Sequence, residues 1–211
     1  LNPSSAASDV YKRQTLEGHI FAVDSVAWNG KLLASGSGDK TIKIWDTESG
    51  ECVKTLEGHS SWVRSVVWNG KLLASGSEDK TIKIWDTESG ACVKTLEGHS
   101  GGVLSVAWNG KLLASGSDDK TIKIWDTESG ECVKTLEGHS SWVRSVVWNG
   151  KLLASGSEDK TIKIWDTESG ACVKTLEGHS SEVNSVAWNG KLLAMSLIHI
   201  SEPTRLGFIA Y

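Results

Sequence analysis

The chain repeats itself. The segment Thr55 to Lys94, TLEGHSSWVRSVVWNGKLLASGSEDKTIKIWDTESGACVK, returns almost unchanged from Thr15, Thr95, Thr135 and Thr175, the last copy breaking off after Ala194. Glu51 to Gly90 reads the same as Glu131 to Gly170, so an 80-residue block of two units is itself duplicated. Repetition at a period of 40 means that each unit is one supersecondary element. Such a unit cannot bury its own apolar surface, and a core arises only where neighbours stack. The skewed composition, 11 Trp and 22 Gly against 2 Pro, 2 Tyr, 2 Phe and 1 Met, follows from the copying. Pro3, Pro203, Tyr11, Tyr211 and Met195 all lie outside the copies. The flanks SSAASDVYKRQ (4–14) and SLIHISEPTR (196–205) resemble in-frame translations of the adapters used in transposase-based sequencing libraries. Residues 1–14 and 195–211 are therefore expected to stand outside the fold, and 15–194 to form the repeat domain.

Within a unit no segment carries the i, i+3, i+4, i+7 stripe of a helix, whereas four short stretches have strand character. Val63 to Trp68 leads into Asn69-Gly70, a type I′ hairpin signal, and Lys71 to Ser77 returns. Thr81 to Trp85 alternates apolar and polar residues; the loop 86–90 ends in Gly90, and Cys92 to Leu96 makes a fourth, outer strand. The unit is expected to be a four-stranded antiparallel meander. The small residues Ser75, Gly76 and Ser77 remove bulk where neighbouring sheets converge, while Trp68 and Trp85 fill the space between them.

The Gly58-His59 pair, Asp79 before the third strand and the terminal Trp85-Asp86 resemble, in type and spacing, the WD repeat of β-propellers. The resemblance covers residues 15–194 and implies an all-β, partial propeller, with residues 15–18 as the outer strand of a further blade. It is strongest to fungal heterokaryon-incompatibility receptors and related signalling NTPases. It also implies a hydrogen-bonded network in each blade, made of His19, Ser35, Asp39 and Trp45; His59, Ser75, Asp79 and Trp85; His99, Ser115, Asp119 and Trp125; and His139, Ser155, Asp159 and Trp165. His179 alone represents the set in the fifth copy.

Other chemistries fit the residues poorly. Histidines repeated every 40 residues stand apart rather than converging on a metal, so they read as structural. Cys52, Cys92, Cys132 and Cys172 occur once per unit; they form neither a CxxC pair nor a disulfide framework, and are expected to be buried free thiols of an intracellular, cytoplasmic protein. Ser, His and Asp recur as part of the repeat rather than in one unique constellation, and no phosphate loop or carboxylate pair is present. No enzyme activity and no cofactor are expected. No apolar run is long enough for a membrane helix, and a net charge of -4 argues against nucleic-acid binding.

The copies differ at few positions. Before the first strand stand Ala22, Trp62, Gly102, Trp142 and Glu182; two residues on, Asp24, Arg64, Leu104, Arg144 and Asn184; before the network aspartate, Gly38, Glu78, Asp118 and Glu158. A site that accepts Ala, Trp, Gly and Glu is not a core site, and the resemblance puts all three places on the upper rim, where partners dock. The expected function is a non-catalytic scaffold that binds a protein or peptide there, the recognition module of a larger signalling or incompatibility-type receptor. The alternative is the substrate-recruiting propeller of a ubiquitin ligase or other assembly scaffold; a designed, ligand-free consensus array is a third. The blade faces left open by a partial ring predict self-association.

Overall fold

The computed structural model describes residues 15–189 with, as backbone only beyond Trp188, 192–196 and 208–210. It is all-β. Blade 1 comprises β1 (Val23–Asn29), β2 (Leu32–Ser37), β3 (Ile42–Asp46) and β4 (Cys52–Leu56). Blade 2 comprises β5 (Val63–Asn69), β6 (Leu72–Ser77), β7 (Ile82–Asp86) and β8 (Cys92–Leu96). Blade 3 follows with β9 (Val103–Asn109), β10 (Leu112–Ser117), β11 (Ile122–Asp126) and β12 (Cys132–Leu136), and blade 4 with β13 (Val143–Asn149), β14 (Leu152–Ser157), β15 (Ile162–Asp166) and β16 (Cys172–Leu176). Each blade is an antiparallel meander in chain order. A fifth sheet contains β17 (Ser185–Asn189), β18 (Leu192–Ser196) and β19 (Phe208–Ala210). Met195 and Ser196 thus continue β18, and β19 adds to its free edge with Leu193 opposite Ile209. Residues 1–14, 190–191, 197–207 and 211 lie outside the described residues. Residues 15–18, expected as an outer strand, carry no strand structure.

The Asn-Gly hairpin differs from expectation. Asn69 stays in the strand opposite Leu72, and the two-residue loop is Gly70-Lys71. Only Gly70 has positive φ, at 59°. Positive φ at the first central residue alone is the type II′ pattern, not I′. Freed from the turn, the Asn69 side chain reaches the next blade and donates to Gly110 O at 3.2 Å.

The first strands of successive blades run side by side and join the sheets. Ser25 Oγ accepts the Val66 N–H at 3.1 Å, and Ser65 and Ser105 accept those of Val106 and Val146 at the same distance. Further out, Lys54 Nζ donates to Thr87 O and Glu88 O of the next blade, at 3.1 and 2.6 Å. Between these seams lies the core. The first interface buries Ala34, Ile42, Ile44, Leu56, Val63, Val66, Leu73 and Trp85 together, and the second repeats it with Trp125. Dispersion and burial of such contacts, each Trp covering roughly 150–250 Å², hold one blade to the next.

The four cysteines are exposed, contrary to expectation. They sit at the start of the outer strand, where a register shift between Ile84 and Trp85 opposes Cys92 to Trp85 and turns its side chain away from the interface. The Cys92 Sγ–H points at Lys94 O, 3.4 Å away.

Candidate functional site

The four networks form as the resemblance implies. In blade 2, Asp79 Oδ2 lies 2.7 Å from His59 Nδ1, and His59 Nε2 lies 2.7 Å from Ser75 Oγ. Trp85 Nε1–H donates to the same Ser75 Oγ at 2.8 Å. The partners fix the protons. Asp79 is ionised and only accepts, so Nδ1 carries the hydrogen, and the Ser75 hydroxyl donates to the bare Nε2. The distances are the same in blades 1, 3 and 4. One member was missing from the sequence reading: Thr81 Oγ1 donates to Asp79 Oδ1 at 2.7 Å, and the N–H groups of Thr81 and Ser60 also point at that carboxylate, at 3.0 Å each. Thr41, Thr121 and Thr161 do the same.

Burial pushes the Asp79 carboxyl up, but the hydrogen bonds from His59, Thr81 and Ser60 outweigh it and hold it well below the usual range. Asp39 and Asp159 are likewise held at about 2. His139 is lowered by burial, against the opposing hydrogen bond and charge of Asp159. The Ser-His-Asp geometry resembles that of a hydrolase, but Ser75 is fully buried and its oxygen is occupied by the Trp85 indole. The arrangement ties the entry loop, two strands and the core Trp together. Among the described residues no group of three or more His, Cys, Asp or Glu is placed to hold a metal ion, and no helix is long and apolar enough to cross a membrane.

The variable rim positions meet across blades. In blade 2, Arg64 Nε donates to Glu78 Oε1 at 2.9 Å, its Nη2 bonds the same oxygen, and the guanidinium lies 4.6 Å from the centre of the Trp62 ring. Arg64 Nη1 also reaches Asp24 Oδ2 of blade 1 at 3.2 Å. The Trp62 indole rests on blade 1, 3.2 Å from where a Cβ on Gly38 would sit, and Gly38 N–H donates to Ala22 O. In blade 4, Arg144 pairs with Glu158 and lies 4.9 Å from the Trp142 ring. Leu104 of blade 3 stands where Asp24 stands in blade 1, so Arg144 lacks that carboxylate from the preceding blade; its Nε, whose counterpart in Arg64 bonds Glu78 of its own blade, is buried without a hydrogen-bond partner. Two identical blocks thus differ because their neighbours differ. In blade 3, a Cβ on Gly102 would approach Asp118 Oδ2 at 3.0 Å and Glu78 Cα at 3.2 Å. Leu104 and Asn184 are half-buried and Glu182 is exposed.

Comparison with known proteins adds to this geometry. The family model "WD domain, G-beta repeat" matches residues 11–46, 50–86, 90–126, 130–166 and 170–196. Vegetative incompatibility protein HET-E-1 of Podospora anserina is 67% identical over 39 residues, 18% of this chain and 3% of that protein. Nuclear distribution protein PAC1 of Coccidioides posadasii is 47% identical over 58 residues, 22% of this chain and 12% of that protein. THO complex subunit 3 of Arabidopsis thaliana is 43% identical over 42 residues, 18% of this chain and 13% of that protein. In each case only a small part of the relative's length is spanned. The five matched segments and the four bonded His-Ser-Asp-Trp sets make the chain a member of the WD-repeat family.

Proposed function

We propose that the chain is a rigid, non-catalytic docking module that binds a protein or peptide segment on the rim carrying Trp62, Arg64, Glu78, Gly102, Asp118, Trp142, Arg144 and Glu158. One observation carries this reading. The positions that vary between copies touch one another, Trp62 to Gly38 and Arg64 to Asp24 and Glu78, while the framework beneath them repeats its distances in every blade. Two half-exposed Trp beside Arg are the residue types that dominate interface energetics. A recognition module within an incompatibility-type signalling receptor is the setting we favour, on the likeness to HET-E-1. The four exposed, unpaired thiols support an intracellular, reducing compartment.

A test is selection of peptides from a random displayed library on the purified chain, repeated on a Trp62→Ala/Trp142→Ala variant. Peptides that bind the parent chain and are lost from the variant support the rim. Selected peptides that bind both equally would move the docking site elsewhere.

A further inference from the structure

Blade 1 keeps one face open. At each interface between blades the earlier sheet presents Ala34, Ile42, Ile44 and Leu56, or their counterparts, and the later one presents Val63, Val66, Leu73 and Trp85. In blade 1 the later sheet's places are held by Val23, Val26, Leu33 and Trp45, and no sheet among the described residues lies against them. Val63 and Val66 are 0% and 5% exposed, whereas Val23 and Val26 are 48% and 58% exposed and Trp28 stands out beside them. The open face holds a hollow of about 570 Å³, lined in part by Leu16, Phe21, Val26, Leu33 and Trp45. The same blade carries extra apolar groups at its edge. Ile20-Phe21, both exposed, replaces Ser60-Ser61, Ser100-Gly101, Ser140-Ser141 and Ser180-Ser181 of the other units. At the far end, blade 4 is covered less well. Its Ala154, Ile162 and Ile164 receive Val183 and Val186 of the fifth unit. Leu176, however, is only half-buried where Leu56, Leu96 and Leu136 are buried, and Arg205 falls where every other unit has its third-strand Trp.

We infer that a second copy of this chain covers the open face of blade 1 with its own blade 4, from which its fifth unit is displaced. The pairing does not depend on what the rim binds. Continuity with the existing interfaces chooses the occupant. Blade 4 carries Ala154, Gly156, Ile162 and Ile164, the counterparts of the Ala34, Gly36, Ile42 and Ile44 that receive blade 2. Val23 and Val26 of the second copy stand at the places of Val183 and Val186, which now enter that face. Gly156, whose Cβ would lie 2.7 Å from a Val183 methyl, gives Val23 the same room. Ser145 Oγ, which accepts the Val186 N–H at 3.1 Å, is then offered the Val26 N–H. Blade 1 also brings Leu33 and Trp45, at the places of the Leu73 and Trp85 that close the first interface. The charges agree. Arg64 reaches Asp24 across the seam between blades 1 and 2. Across the new seam Arg144 faces Asp24 of the second copy, where the fifth unit presents only Asn184. The exchange covers Val23, Val26 and Trp28, and the released fifth unit regains chain entropy. The contact runs head to tail, so two four-bladed arcs joined at both ends make one closed ring of a size that propellers adopt.

Sedimentation velocity of the full chain over a concentration series tests the pairing. The parent is expected to shift from one copy to two as concentration rises. Val26→Asp changes a side chain that is exposed in the single copy, so the dilute variant is expected to keep the parent's melting temperature and to lose association by about tenfold or more. Val186→Asp loosens the fifth unit and frees blade 4, so association is expected to tighten about tenfold. Asp24→Arg and Arg144→Asp should each weaken association about tenfold and, combined in one chain, restore most of it. A parent that stays monomeric throughout, association that survives Val26→Asp, or weakening by Val186→Asp overturns the inference. Indifference to both rim variants also overturns it, because the two blade 1 faces would then pair with each other rather than with blade 4.

Discussion

A methyl of Val103 lies 2.7 Å from the point where a Cβ on Gly76 would stand. The middle of β6 is therefore glycine because the next blade's first strand drives a valine into it. Gly36 and Val63, Gly116 and Val143, and Gly156 and Val183 repeat the fit at 2.7 Å. These glycines do not serve a positive φ; they make room. Overpacking a core typically costs about 1–3 kcal/mol, so Gly76→Ala is expected to destabilise by that amount. Val103→Ala in the same chain should return part of the loss, because the second truncation opens the space that the first one fills. A double-mutant cycle in urea measures the coupling, and additive effects would refute the fit.

Val67 governs the neighbouring Trp108. The indole N–H of Trp68 donates to Ala27 O, and that of Trp148 to Ala107 O, at 3.0 Å each. Trp108 faces Val67 where those two face alanine, and its Nε1 is buried without a partner. The added methyls of valine hold the indole off the carbonyl. Val67→Ala should let Trp108 bond, and the indole proton, assigned with Trp108→Phe, should exchange more slowly by hydrogen-exchange NMR. Conversely, Ala27→Val should release the Trp68 proton. No change in either rate would mean that the methyls are not the cause.

These two cases show what the sequence carries and what it does not. Strand order is written within one unit, in alternation such as Ile82-Lys83-Ile84, and was legible there, while the four-residue networks followed from the resemblance that the Gly58-His59 and Trp85-Asp86 pairs carry. Contacts between units were not legible. The bonds from Asn29 to Gly70 and from Lys54 to Thr87 span 41 and 33 residues, and depend on how one sheet leans on the next. The same holds for the pairing of Arg64 with Asp24, 40 residues earlier. Variation between copies pointed to the rim residues, but not to which of their charges would cancel. The hairpin and the cysteines were misread for local reasons: Asn69 serves a blade seam rather than the turn, and a register shift at Trp85 turns Cys92 outward.

Acid should destabilise the chain over two pH ranges. In the unfolded state the network carboxyls return to their usual value near 3.8, while in the fold Asp39 and Asp159 stay ionised down to about 2 and Asp79 and Asp119 lower still. The unfolded state then binds more protons, and stability falls as pH drops below about 4. His139 adds an earlier, gentler loss. Its folded value is lowered from 6.5 by burial, so below about 6.5 the unfolded chain takes up a proton that the fold resists. Asp119→Asn should cost about 1–3 kcal/mol at neutral pH, by leaving His99 and Thr121 poorly paired. The gap from the parent should narrow as the pH approaches 2. Urea midpoints across the acid range would show it, and a gap independent of pH would remove the carboxylate from the account.

Tryptophans at equivalent places should carry very different energies. Trp85 is 1% exposed within the first interface, and Trp85→Ala is expected to cost about 3–5 kcal/mol. Trp68 packs against the same cluster and bonds to Ala27 O, so its truncation should cost about 1–3 kcal/mol. Trp28 is the counterpart of Trp68 in blade 1, yet it stands 65% exposed beside Val26 at 58%, with no blade of the described residues against it. Trp28→Ala should then stay within about 0.5 kcal/mol of the parent while the chain is monomeric. Unfolding midpoints of the three variants, measured at two protein concentrations, separate the cases. A loss at Trp28 as large as that at Trp68, growing with concentration, would mean that this face is covered in solution by another copy, because only a neighbouring blade gives that side chain anything to lose.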